Sequence, residues 1–438
     1  MRSMQPETVH FQGWPFWKTL LERVPPPDTG KAYIVGGWVR DIFMYGQPVG
    51  PVEMDWALEG DAVQWARAIS LKTGAILRME SSLGTARIDI EHQGITVRFD
   101  FATCRKDRYP KPGGLPLTSV ATIDEDLGRR DFSINAMAIE VAFPFRGFGR
   151  ILDPWGGRKD LGRRKLRILY ENSFVDDPTR IFRLVRFSCR LGFSSDTGTF
   201  KALSRSLDDK CLRSVSRSRV WDEMAKILSE PEPMEILYGW LTAGILSSVS
   251  KKLLATGPRK ARLQRWNQIF YNLPRTSNEP KFIRETEFLL ALFFGLPRRE
   301  FEAISAVLGV PGRLRKTLSD VLFEKGYRGN VFRFWEKTGG NTGQMQYECD
   351  RMGYASACLL ALRSPSELVV FWRNYFSSDR HLAPFVTGKD LVQAGVPASA
   401  ERERILDEIR LLQRLGRVRN KSEALVWISK NLVRKLGE

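Results

Sequence analysis

Residues 32–60 read AYIVGGWVRDIFMYGQPVGPVEMDWALEG, and the order of residue types there decides the fold. Ala32–Val35 is a short apolar run suited to a buried strand, and Gly36-Gly37 ends it before a short helical piece carrying Arg40 and Asp41. Two residues without side chains let backbone N–H groups approach an anion, and the helix start behind them favours negative charge. After a turn containing Gly46, Pro48, Gly50 and Pro51 the chain becomes extended again, with Glu53 and Asp55 two residues apart. On a strand that spacing puts both carboxylates on one face. Paired carboxylates beside a phosphate-sized turn are what divalent ions need to bridge a nucleotide's phosphates and an attacking hydroxyl, the chemistry of in-line phosphoryl or nucleotidyl transfer. A Gly-Gly turn and an exposed acidic strand also occur as plain surface features, so the rest of the chain must decide.

The chain has 438 residues, enough for more than one domain, and a net charge of +18 with a pI near 9.8. Such a surface suits a polyanion: RNA, DNA or an anionic membrane. The longest apolar run, Phe288–Leu296, is interrupted by Gly295 and is too short to span a bilayer; it predicts a buried helix. The first residues, MRSMQPETVHFQGW, lack the apolar core of a signal peptide. Five scattered cysteines (Cys104, Cys189, Cys211, Cys349, Cys358) without a CxxC argue against a disulfide framework and a zinc site, and for a reducing, cytoplasmic location. His10, His92 and His381 suit surface or capping positions better than catalysis.

In chain order, Trp14–Val24 has helical spacing and stops at Pro25-Pro26-Pro27, and a second helix is expected over Ala62–Thr73. Ile76–Met79 and Thr85–Ile90 predict strands, as does ITVRFDFA, where Ile95, Val97, Phe99 and Phe101 alternate with Thr96, Arg98 and Asp100. If that strand lies beside the Glu53 strand, Asp100 becomes a third acidic ligand or base; otherwise it is a solvated carboxylate. CRKDRYPKPGGLPLTSV (104–120), rich in Pro, Gly and cations, predicts a mobile loop whose cations either hold phosphates or face water. Thr122 with Glu125 forms a capping-box pattern opening a helical region that contains RRDFSINAMAIE (129–140). On such a helix Asp131 and Asn135 share a face beside Arg129 and Arg130, where a ribose and its phosphates, or ion pairs to Asp126 or Glu140, would satisfy them.

Strand signals fade after Ile151–Pro154 and the Gly156-Gly157 turn, which puts the end of an α/β head near Ile168 and predicts all-α structure beyond. In DDPTRIFRLVRFSCRLGF (176–193), Pro178 suits a first helical turn and Gly192 a C-terminal cap. Ile181, Leu184, Val185 and Ser188 mark its inner stripe and leave Arg180, Arg183 and Arg190 on a second face. Asp177 suits an N-cap, and with Arg180 three residues later it also forms an acceptor–donor couple. Cytosine and adenine each offer an amino donor beside a ring-nitrogen acceptor and match that couple; uracil and guanine reverse the polarity and leave buried groups mismatched. SVSRSRVWDEMAKIL (214–228) predicts a structural helix in which Arg219 and Glu223 tie helices together. Lys251, Lys252, Arg259, Lys260, Arg262 and Arg265, interleaved with Trp266, Phe270 and Tyr271, suit an RNA backbone or a solvated face. KTGGNTGQ (337–344) predicts a linker, and a helix over Glu401–Leu415 is expected to bury Ile405, Ile409 and Leu412 and expose Arg402, Arg404, Arg410 and Arg414.

Taken in order, GGWVRD (36–41), EMD (53–55), RRDFSINAMA (129–138), LDPWGG (152–157), DDPTRIFRLVRF (176–187) and SRSRVWDE (216–223) resemble the motifs of class II tRNA nucleotidyltransferases, the CCA-adding enzymes, and of the related bacterial poly(A) polymerases. The match covers roughly the first half of the chain, and GKDLVQAGVP (388–397) is a weaker echo. The resemblance implies an α/β nucleotidyltransferase head, a small mixed sheet with helices, over residues 1–167, followed by an all-α neck (168–235), body (236–343) and tRNA-binding tail (344–438). It further implies that Gly36, Gly37 and Arg40 contact a triphosphate, that Glu53 and Asp55 hold Mg²⁺, that Arg130 and Asp131 meet the ribose, and that Asp177 and Arg180 select the base; from their spacing alone, Asp100 is added as a candidate catalytic acid and Asn135 and Arg183 as candidate nucleotide contacts. The implied substrates are CTP, ATP and the 3′ end of tRNA. Two positions depart from the family pattern: Glu53 stands where Asp is usual, and Asp176 where Glu often opens the neck motif. The first departure lengthens a metal-binding side chain by one methylene and keeps a non-catalytic RNA-binding descendant as a second hypothesis beside poly(A) polymerase.

Overall fold

The computed structural model describes residues 13–48, 53–81, 84–208, 211–230, 233–245, 257–271, 273, 283–324, 338–396 and 400–436. They fall into two compact units, Met1–Val249 and Ser250–Glu438. His10, Gly50, Pro51, Lys251 and Lys252, singled out above, lie outside the described residues.

The first unit carries strands β1 (Ala32–Val35), β2 (Glu53–Leu58), β3 (Ile76–Ser81), β4 (Thr85–His92), β5 (Ile95–Thr103), β6 (Arg105–Arg108), β7 (Leu117–Val120), β8 (Ala138–Val141) and β9 (Phe148–Leu152). Its helices are α1 (Trp14–Leu21), α2 (Gly37–Tyr45), α3 (Ala62–Thr73), α4 (Ile123–Gly128), α5 (Gly157–Gly162), α6 (Ser173–Asp176), α7 (Thr179–Leu191), α8 (Thr197–Asp208), α9 (Arg217–Leu228) and α10 (Pro233–Thr242). Seven strands form one mixed sheet in the order β3-β4-β5-β2-β1-β8-β9, in which β2 and β5 run parallel and the other neighbours antiparallel.

Strand alternation sorts the two faces of the sheet. Met54 and Trp56 of β2 and Val97, Phe99 and Phe101 of β5 are buried on one side, where Trp65, Ala66 and Ile69 of α3 cover them. Trp56, Trp65 and Phe101 meet with ring centroids 5.2 to 6.1 Å apart. Each such ring, fully buried, contributes about 2 to 3 kcal/mol. On the opposite side Tyr33, Val35 and Ala57 pack with Ile123 and Leu127 of α4. That face of β2 is therefore apolar at Ala57 and acidic at Asp55 and Glu53, where the helical cover ends.

Two local expectations need correction. Residues 138–141 are strand β8, paired with β1, because the apolar run Ala136–Ile139 completes the sheet; helical structure around Asp131 and Asn135 is limited to a 3-10 turn at Ser133–Asn135. The Pro/Gly-rich segment 104–120 is a two-stranded ribbon, β6 against β7, and its tip is docked: Gly113 N–H donates to the carbonyls of Val175 and Asp176. Gly113 has φ +67°, and a Cβ there would lie 2.1 Å from Ser214 Oγ, so the close approach requires glycine.

Helix α7 packs its inner stripe on α10, where Phe182 and Trp240 rings lie 4.5 Å apart and Gly239 sits against Val185. Gly192 ends α7 in the left-handed conformation, as the sequence predicts.

Among the described residues the second unit is helical, and Phe288–Phe293 lies wholly buried within helix Ile283–Phe293. No helix among the described residues is long and apolar enough to cross a membrane. The aromatics of the basic segment turn inward: Trp266 packs on Phe288 and Phe270 on Phe376, while Arg262 donates to the carbonyls of Ala291 and Phe294. Residues 339–343 are a turn into helix Thr342–Met352 instead of a linker. Asn341 caps that helix, and Gly343 abuts the Arg414 carbonyl. Helix Ala400–Arg414 buries Ile405 and Ile409, but Arg414 is turned in to bond Asp350 at 2.7 and 2.9 Å.

Candidate active site

The register of the parallel pair decides the acid end. Asp55 lies opposite Asp100, and Glu53 opposite Arg98, so β5 does lie beside the Glu53 strand, the condition on which Asp100 is expected as a third acid. Glu53 accepts from Arg98 at 2.7 Å, and Asp100 accepts from Arg87 at 2.5 and 3.1 Å. Asp55 has no hydrogen bond or ion pair among the described residues. Its carboxyl is pushed up to about 6: the enclosing protein removes water from it, and the charges of Asp100 and Glu53 add to that effect against the attraction of Arg130. An unpartnered carboxylate beside two others, all hard oxygen donors, fits a divalent cation that keeps several waters and takes further ligands from phosphate. No group of three or more His, Cys, Asp or Glu side chains arranged to hold a metal occurs among the described residues, so Glu53 and Asp55 would supply a two-carboxylate site.

Gly36 closes the strand in an unusual conformation, φ +74° and ψ −134°, and opens α2. A Cβ on it would lie 3.3 Å from Asp55 Oδ2 and 3.4 Å from Arg130 Nη1, which leaves an open cradle between carboxylate and guanidinium. Arg40, one turn later, is buried and committed: it donates to Asp41 at 2.6 and 2.8 Å and to Asn135 Oδ1 at 2.9 Å. Asn135 Nδ2 in turn donates to Asp131 Oδ1 at 3.0 Å, and Arg183 of α7 donates from Nε to Asp131 Oδ2 at 2.8 Å and forms an ion pair with it, Nη2 lying 2.6 Å away. Burial alone would raise the Asp131 carboxyl. The charge of Arg183 and the N–H groups of Asn135 and Phe132 outweigh it and hold the group at about 2. The expected Asp131–Asn135 contact exists, carried by a turn instead of a helix.

Arg129 and Arg130 both bridge Asp126, at 2.7 and 2.9 Å, which is the internal ion-pair alternative considered above. At the start of α7, Asp177 Oδ1 accepts from Thr179 N–H and Oγ and from Arg219 at 2.6 Å, while Oδ2 accepts nothing among the described residues. Arg180 is buried; it donates to Tyr170 Oη, Ser173 Oγ and the Arg129 carbonyl at 3.2, 2.7 and 2.5 Å. Three of its five N–H donors are thereby used and the guanidinium is fixed in direction. Arg219 thus ties α9 to α7, as expected, and Glu223 stands 3.8 Å from Arg186.

All twelve expected residues line one cleft of about 970 Å³: Gly36, Gly37, Arg40, Glu53, Asp55, Asp100, Arg130, Asp131, Asn135, Asp177, Arg180 and Arg183. Sequence reasoning does not assign Asp107, Tyr109, Arg186 and Arg219 to the same lining, whereas Arg129 is expected beside Asp131, and Arg105 is among the loop cations expected to hold phosphates or face water. Tyr109 and Arg105 come from the ribbon, whose docking no pattern of residue types announces. Asp126, expected only as an alternative partner, is the buried anchor of Arg129 and Arg130.

Residues 32–167 match the family described as the poly A polymerase head domain. The A-adding tRNA nucleotidyltransferase of Aquifex aeolicus (strain VF5) is 38% identical over 207 residues, 47% of this chain and 24% of that protein. That of Halalkalibacterium halodurans is 28% identical over 409 residues, covering 90% of this chain and 87% of that protein. The chain thus spans about a quarter of the Aquifex relative's length and most of the Halalkalibacterium relative's. Other relatives are named CC-adding and CCA-adding. Among solved structures, a tRNA-processing enzyme with CTP superposes with a TM-score of 0.62 at 25% identity, covering 87% of this chain and 96% of that one.

Proposed function

We infer that this chain, a relative of the tRNA nucleotidyltransferases whose residues 32–167 form a poly A polymerase head domain, is a template-independent nucleotidyltransferase that adds C and/or A to the 3′ end of tRNA from CTP and ATP. One observation carries the reading: the carboxylates of β2 and β5 and the Asp177–Arg180 couple at the start of α7 line the same cleft. A triphosphate in that cleft is held at one end by the acids and read at the other by the couple.

Each group then has a task. Gly36 and Gly37 leave room for phosphate oxygens beside Arg130, whose Nε is buried without a partner. Asp131 and Asn135, locked between Arg40 and Arg183, set the wall against which the ribose is placed. Asp177 Oδ2 accepts the base's amino hydrogen, and an N–H of Arg180 not bound to Tyr170, Ser173 or Arg129 donates to the ring nitrogen. Mg²⁺ held by Glu53 and Asp55 would activate the terminal ribose hydroxyl of tRNA and neutralise charge gathering on the reacting phosphate. Asp100, fixed by Arg87, adds negative charge beside them. In this reading the head (1–167) and neck (168–235) form the chemical centre, and the body (236–343) and tail (344–438) grip tRNA through phosphates and shape. A cytoplasmic location belongs to the same proposal.

The test incubates the protein with tRNAs ending before the first C, after one C and after CC, with each NTP separately. Incorporation of CTP onto the ends before CC, of ATP onto the CC end, or of both, with UTP and GTP refused, is expected; incorporation of none, or of all four equally, contradicts the reading.

A further inference from the structure

The carboxylates sit in a checkerboard of opposite charges. Register places Glu53 beside Arg98 and Arg98 beside Asp89; one step along, Asp55 lies beside Asp100 and Asp100 beside Arg87. Arg98 Nη1 donates to Glu53 Oε1 at 2.7 Å and its Nε lies 3.4 Å from Asp89, which Arg78 holds at 2.7 Å. Two of the three acids at this end therefore already carry a guanidinium. Ten cationic and nine anionic side chains line the cleft, and Arg87 and Arg98 stand behind its acids as additional positive charge.

A free dication approaching Glu53 must share or take an oxygen from Arg98 and does so against a net positive surface. A bound triphosphate reverses that sign, because it brings several negative charges to the same place. Glu53 is long enough to be drawn toward Arg98, and both side chains are about 40% exposed, so the pair is loose enough to exchange partners.

We propose that Arg98, supported by Arg87, is a positioning residue that occupies the acids in the absence of nucleotide and makes divalent-cation loading depend on the bound triphosphate. The proposal rests on the nucleotidyltransferase reading above and deepens it.

The test measures Mn²⁺ binding to the full chain by electron paramagnetic resonance, alone and with a non-hydrolysable ATP analogue. Without the analogue, R98Q should bind Mn²⁺ about threefold to tenfold more tightly than wild type, and R98K should bind like wild type. With the analogue the gap should close to within about twofold, and in an E53Q background R98Q should change nothing. An R98Q midpoint that is unchanged or weaker without nucleotide overturns the proposal, as does an undiminished R98Q effect beside E53Q. Mn²⁺ binding with the analogue that survives E53Q and D55N together contradicts the nucleotidyltransferase reading itself.

Discussion

Arg183 donates to the Asp131 carboxylate through Nε at 2.8 Å and pairs with it through Nη2 at 2.6 Å, and so pins α7 to the turn that follows α4. The contact joins residues 52 positions apart and leads through Asn135 to Arg40. It orients the wall between the acids and the base-reading couple.

Stability should therefore depend on Asp131. Its carboxyl is held at about 2 against an ordinary 3.8, so the contribution is complete above pH 4 and is lost as pH falls toward 2. Asp131→Asn should cost about 2 kcal/mol at pH 7, measured by urea unfolding. The difference from wild type should shrink between pH 4 and pH 2.

Asp55 carries the opposite sign. Its raised pKa, about 6, means that the folded state favours the protonated form, so ionisation above that pH costs stability. Asp55→Asn should raise the melting temperature at pH 7, and Asp55→Ala should abolish incorporation while tRNA binding persists. In wild type at limiting Mg²⁺, incorporation should fall as pH drops below about 6, and added Mg²⁺ should restore it.

Gly36→Ala would put a methyl between Asp55 and Arg130 at a backbone angle that side chains avoid. A loss of about 1 to 3 kcal/mol is expected from the strain, together with a larger fall in kcat than in tRNA affinity. A kinetic and unfolding comparison with wild type checks both.

Arg180→Ala should relax the choice of base more than it weakens triphosphate binding. Retained discrimination against UTP and GTP in single-nucleotide incorporation would remove the Asp177–Arg180 assignment.

The sheet and the acid end were legible because their signals are local. Strand alternation placed Glu53, Asp55 and Asp100 on polar faces, and a Gly-Gly break announced the turn before α2. What stayed hidden depends on partners remote in sequence. Nothing near Arg40 reveals Asn135, and nothing near Arg180 reveals the Arg129 carbonyl. The ribbon looked like a loop because Pro and Gly dominate its tip, while the pairing that orders it joins Arg105–Arg108 to Leu117–Val120. The segment with Trp266 and Phe270 suited an RNA backbone or a solvated face because cations surround the rings in sequence, yet burial of large rings decides which way that helix faces.

The central claim is that the carboxylates of β2 and the couple at the start of α7 serve one bound triphosphate. A crystal structure with Mg²⁺ and a non-hydrolysable ATP analogue tests it most directly. The α-phosphate should lie at the Glu53–Asp55 pair with the adenine edge bonded to Asp177 and Arg180. A triphosphate bound with its phosphates or its base outside this cleft would contradict it.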